Sequence, residues 1–88
     1  MSTQIERKFS SIENAVAEAI RVCMIFRQLT QKSLAKRAEV SQTAVSLMFK
    51  RGCGNLKMLS KMAKALDYPI SYLVQMAEEI MANGSVKR

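Results

Sequence analysis

Eighty-eight residues with a formal net charge of +7 can build one small domain around one core, because at this length only about two-thirds of the unfolded chain's surface can be buried. The apolar fraction of 49% suffices for that core, whereas one Pro and three Gly argue against the many tight turns of an all-β fold. With no His and no paired-cysteine motif, neither a metal site nor a cofactor nor hydrolytic catalysis is expected, and an all-α fold is the default.

Residues 1–9 lack periodicity and carry adjacent Arg7 and Lys8, which reads as a flexible N-terminal arm. Ser10 followed by Glu13 has capping-box spacing, so a first helix is expected from about Ser11 to Gln28, with Ile12, Val16, Ala19, Ile20, Cys23 and Phe26 or Arg27 inward. Thr30 can cap a short second helix over Gln31 to Arg37 that turns Leu34, Ala35 and Ala38 inward and Lys32, Lys36 and Arg37 outward. Ser41 can cap a third, Gln42 to Phe49, with Val45, Met48 and Phe49 inward. Gly52 and Gly54 around Cys53 break the pattern. Asn55 can cap a fourth helix, Leu56 to Leu66, with Leu56, Leu59, Met62, Ala63 and Leu66 apolar. Asp67-Tyr68-Pro69 ends it, and Pro suits the first turn of a fifth helix from Ile70 to Ala82. Residues 10–82 form the expected domain, and the tail from Asn83 to Arg88 reads as disordered.

The positive charge is concentrated in the middle. Residues 27–64 hold nine bases against Glu39 alone, a local excess of +8, while the flanks are near neutral. Such a segment fits a polyanionic partner through long-range attraction and counterion release; its plain alternative is a solvated face. With no signal peptide and no apolar run near 18 residues, the expected location is cytoplasmic, with no membrane partner. Cys23 and Cys53 are expected as free thiols, Cys23 in the core and Cys53 in a loop, either as an inert residue or as an exposed redox thiol.

Only four residues separate Arg37 from Gln42, which forces two short helices to cross steeply. Ala35 suits the close approach, and Leu34, Val40 and Val45 can interlock beneath it. Gln42, Thr43, Ser46 and Lys50 then remain outside on the third helix, with Ala44 and Leu47 beside them. These types match a major groove: Gln pairs with adenine's edge, Thr and Ser bond to either partner, and small apolar groups meet the thymine methyl. The bases around them supply affinity without sequence information.

The runs LTQKSLA (29–35), VSQTAVS (40–46) and LKMLSKMAKALDYPISYL (56–73) resemble the lambda-repressor-like, XRE or Cro-type, helix-turn-helix family over roughly Ile20 to Ile80. The resemblance implies five helices, with the second and third as the DNA-binding motif. It implies base contacts from Gln42, Thr43, Ser46 and Leu47, with Gln31 bonding to phosphate and bracing Gln42. Phosphate contacts from Lys32, Ser41, Lys50, Arg51, Asn55 and Lys57 would accompany these, and Arg7 and Lys8 of the arm could add to them. Two positions depart from the family. Its common turn Gly is Glu39 here, where a positive φ costs about 1 kcal/mol, so an adjusted turn is expected. Its Arg–Glu pair between the first and third helices is replaced by Met24 and Phe49, for which an apolar contact is expected.

The fifth helix has two apolar stripes: Leu73, Met76, Ala77 and Ile80, and Ile70, Val74, Ala77 and Met81. The second would face water in a monomer, so a homodimer interface is expected there, and with it a palindromic operator. The expected function is sequence-specific binding of double-stranded DNA by a dimeric transcriptional repressor, of phage or prophage type, acting by operator occupancy. The chain has no room for a ligand or self-cleavage domain, so release is expected from a partner protein such as an antirepressor or toxin. The alternatives are an antitoxin or restriction-modification controller of the same fold, or a basic helical module that binds an acidic protein.

Overall fold

The computed structural model describes residues 11–84, which form α1 (Ile12–Phe26), α2 (Gln31–Ala38), α3 (Gln42–Arg51), α4 (Leu56–Leu66) and α5 (Ile70–Asn83). No strand occurs among the described residues. Three of the expected caps are in place, each offering a side-chain oxygen to amides that the first turn leaves without partners. Thr30 accepts from Ser33 N, Ser41 from Ala44 N, and Asn55 from Lys57 N and Met58 N. The first helix differs: Ser11, not Ser10, is its N-cap and accepts from Asn14 N, while Ser10 lies outside the described residues. Asn83, assigned to the tail, is the last residue of α5, and Gly84 closes that helix at φ 80°.

Helices α1, α2 and α4 end alike. Gln28, Glu39 and Asp67 each adopt a left-handed backbone, φ 57°, 61° and 63°. The amides after them, of Leu29, Val40 and Tyr68, reach back to the carbonyls of Met24, Ala35 and Ala63 at 2.9, 3.0 and 3.0 Å. This is the Schellman closure, in which the residue after the left-handed one also packs against the helix it has left; Leu29, Val40 and Tyr68 all lie against the core. The turn at Glu39 is therefore not adjusted: it keeps the geometry that Gly would adopt without strain.

The core runs from Ile20 and Cys23 on α1 through Leu34 and Val45 to Met62, Leu66, Leu73 and Ile80, all fully buried. Packing is most extensive between α1 and α5; α3 and α4 pack onto this pair, and α2 packs onto α3 and α4. Four expected inward residues are instead exposed or capping. Leu56 is 77% exposed, because the first position of α4 projects past the end of the core, and Ile12 and Phe26 at the two ends of α1 are also exposed. Arg27 caps α4: its Nε donates to Leu66 O (2.9 Å) and its Nη2 to Asp67 O (3.1 Å), with the guanidinium 4.2 Å above the Tyr68 ring. Arg37 adds a bond to Ala65 O at 3.2 Å. Two of the nine central bases thus hold the negative end of α4. No helix among the described residues is long and apolar enough to cross a membrane.

The α3–α4 loop lies on the start of α1. Cys53 N donates to Glu13 O at 2.9 Å. Gly52 stands at φ 102°, and a Cβ there would lie 2.9 Å from Asn14 Oδ1 and 3.0 Å from the backbone carbon of Glu13. Gly52→Ala should therefore destabilise the fold by roughly 1–3 kcal/mol, combining left-handed strain with overpacking. Gly54→Ala, which meets only the Glu13 side chain, should cost less in thermal unfolding. Burial pushes the Cys23 thiol up from 9.0 to about 11, against a smaller opposing effect of Arg27. The folded state thus favours the neutral thiol, a preference that is complete below about pH 9 and lost as the pH rises towards 11. Melting temperature should fall across that window, and less steeply in Cys23→Ala.

Candidate nucleic-acid interface

Helix α3 is anchored from behind by Val45, fully buried, and Met48, 5% exposed. Helical period then places Gln42 and Thr43 in solvent at its start, with Leu47 38% exposed one turn on and Lys50 and Arg51 exposed at its end. Ala44 and Ser46 are half-buried at the edges of this face. The helix runs two residues beyond the expected Phe49, so Lys50 and Arg51 have fixed positions on its last turn.

Gln31 occupies a different place from that expected. Its Oε1 accepts from Ser46 Oγ at 2.9 Å, so it ties the start of α2 to α3 through Ser46 rather than Gln42. The bond fixes the half-buried Ser46 and leaves the amide nitrogen of Gln31 as a donor. Ser41 and Asn55 accept amide hydrogens as caps, yet the Ser41 hydroxyl and the Asn55 amide nitrogen can still donate outward. Lys32 and Lys57 are exposed beside the starts of α2 and α4.

None of α2, α3 and α4 has an acid in its first turn, although an acid there would be stabilising. The same holds for α5, so these positive helix ends are open to an anion without being singled out for one. The lack of acids at these positions is visible in the sequence itself. The Gln31–Ser46 bond, by contrast, joins residues fifteen apart on two helices and has no sequence signature.

Phe49 is half-buried against the core, and the Arg21 guanidinium lies 4.8 Å from its ring centroid. A cation–π contact therefore joins α1 to α3, in addition to the packing of Phe49 on the apolar core that includes the expected partner Met24. Cys53 is 5% exposed and so is not an exposed redox thiol; burial pushes its thiol up, partly offset by the Asn55 backbone. Arg7 and Lys8 lie outside the described residues. On α5, Ile70 and Met81 are exposed at 40% and 41%, and Val74 is half-buried. Ala77 is fully buried, because both apolar stripes cross at this position, and it is corrected from a surface to a core residue.

A helix-turn-helix family model matches residues 27–73, from the turn after α1 to the first turns of α5. Among solved structures, the chain is similar to a serine-to-alanine mutant of the restriction-modification controller protein C.Esp1396I. The TM-score is 0.73 at 19% identity, over 81% of this chain and 94% of that one, a likeness of fold. No curated protein matches the sequence. The match over more than half of its length, together with the five-helix architecture, shows that the chain belongs to the lambda-repressor-like helix-turn-helix family of DNA-binding transcriptional regulators.

Proposed function

We propose that the protein is a repressor that binds a palindromic operator as a homodimer and acts by occupying a promoter. The observation that carries this reading is α3 itself, whose exposed Gln42, Thr43 and Leu47 stand on a helix anchored by buried Val45 and Met48. Gln42 contacts an adenine edge, Thr43 and Ser46 contact bases or the adjoining backbone, and Leu47 meets a thymine methyl. Around them Gln31, Lys32, Ser41, Lys50, Arg51, Asn55 and Lys57 meet phosphates, aided by the positive ends of three helices. Arg7 and Lys8 precede α1, whose start lies beside the α3–α4 loop through the Cys53–Glu13 bond; that placement supports phosphate contacts from the arm.

The dimer forms through Ile70, Val74 and Met81, which share one flank of α5. An apolar strip on this helix supports self-association, and two-fold symmetry then sets the recognition helices about 34 Å apart, one turn of DNA. Release falls to a partner protein, an antirepressor or a toxin. The fold likeness to a restriction-modification controller protein favours a second reading, in which the same interface controls such a system. The location proposed for either role is the cytoplasm.

Selection of bound sites from random duplex DNA tests the reading, with an inverted repeat as the expected product. On the selected site, Gln42→Ala should cost about 1–3 kcal/mol of discrimination at one base pair per half-site. Combining it with Thr43→Ala should leave binding that no longer depends on sequence; preference retained in the double variant would show that other side chains read the bases. Met81→Asp together with Val74→Asp should convert a dimer to a monomer in sedimentation equilibrium and weaken binding to the full palindrome more than to a half-site.

A further inference from the structure

Between α2 and α4 lies a groove of about 740 Å³. Arg37 from α2 and Lys57, Lys61 and Lys64 from α4 line it, with Ser60 on the α4 side and Glu39 at the α2–α3 turn. Ala38 and Ala65 form its floor, and their small side chains leave the concavity open. Among the described residues none of the four bases has a carboxylate partner; the ion pair of Arg21 with Glu18 lies within α1, outside the groove. Arg37 is fixed in place by its bond to Ala65 O and keeps further N–H groups to donate.

The three lysines stand at i, i+4 and i+7 on one face of α4. Like charges at this spacing destabilise a helix, and solubility would be served as well by mixed signs. With four bases against the single acid Glu39, this concave surface has a net positive field that favours an anion.

We propose that this groove docks an acidic segment of a partner protein, a run of Asp and Glu side chains seated on Lys61, Lys64 and Arg37. The phosphates of DNA fit the groove poorly. Lys61 and Lys64 lie roughly 6 and 10 Å beyond Lys57 along the helix axis, away from the end of α4 that bears Asn55. A duplex seated on α3 is a convex rod with phosphates at fixed spacing, and Glu39 at the opposite wall repels it. A flexible chain can place its carboxylates on the lysines and pass Glu39 with an uncharged or basic residue. Lys57 belongs to both surfaces, so the acidic segment competes with DNA at that side chain, and occupancy of the groove weakens operator binding.

The test uses the full chain and two labelled probes, a deca-glutamate peptide and the duplex obtained by site selection, each followed by fluorescence anisotropy. Two variants with the same change of net charge are compared: Lys61→Gln with Lys64→Gln, and Lys50→Gln with Arg51→Gln. The first pair should weaken the peptide by about tenfold and the duplex by no more than about threefold, and the second should show the reverse. Peptide binding that is absent, or that falls equally in both variants, overturns the proposal. So does a duplex affinity that falls as far for Lys61 and Lys64 as for Lys50 and Arg51, since the groove would then be part of the DNA face.

Discussion

The structure depends on one contact, α2 packed against α3, made through a turn that its sequence resists. Glu39 sits in the left-handed region at a cost of about 1 kcal/mol. Full burial of Leu34 and Val45 on the two sides of the turn contributes roughly 1.5–3 kcal/mol each, and the amide of Val40 closes back onto Ala35. The packing outweighs the strain, so the turn keeps its shape without Gly. The same closure at Gln28 and Asp67 makes the α1–α2 and α4–α5 connections short and internally hydrogen-bonded, while the α3–α4 loop is tied to α1 by the Cys53–Glu13 bond. The helices can then shift only by breaking the core.

Rigidity of this kind matters because of what it leaves outside. Once Val45 and Met48 face the core, the 3.6-residue period puts Gln42 and Thr43 in solvent. The Gln31–Ser46 bond and the Arg21–Phe49 contact limit rotation of α3 about its own axis. Hydrogen bonds to base edges reward such placement, since a side chain held in position loses less entropy on binding than a free one. The central charge divides accordingly. Arg27 and Arg37 are used within the fold, on the carbonyls at the end of α4, while the lysines and Arg51 stay outside.

The helices themselves were legible in the sequence, because Thr30, Ser41 and Asn55 stand one residue before apolar periodic runs and few other residues can cap there. The start of α1 was misplaced by one because Ser10 and Ser11 offer the same chemistry and only geometry separates them. Faces were less legible than boundaries. Leu56, Ile12 and Phe26 lie in register with inward residues but at helix ends, beyond the reach of the core, and periodicity carries no information on where a core stops. Ala77 belongs to both stripes of α5, and the close approach of α1 decided its place. What the sequence hid altogether were pairings between distant elements: Arg27 with Leu66 and Asp67, Gln31 with Ser46, and Arg21 with Phe49. Each needs the fold before the two side chains can meet.

The central claim is that α3, braced from behind, is the surface that meets DNA. Amide NMR shifts recorded while the protein is titrated with a duplex carrying the selected site test this most directly. The account predicts saturable changes concentrated in residues 31–32, 41–47 and 50–57, with the α5 amides around Leu73 and Ala77 nearly unmoved. Changes centred on α5 or on the outer face of α1, with 41–47 unaffected, would contradict it.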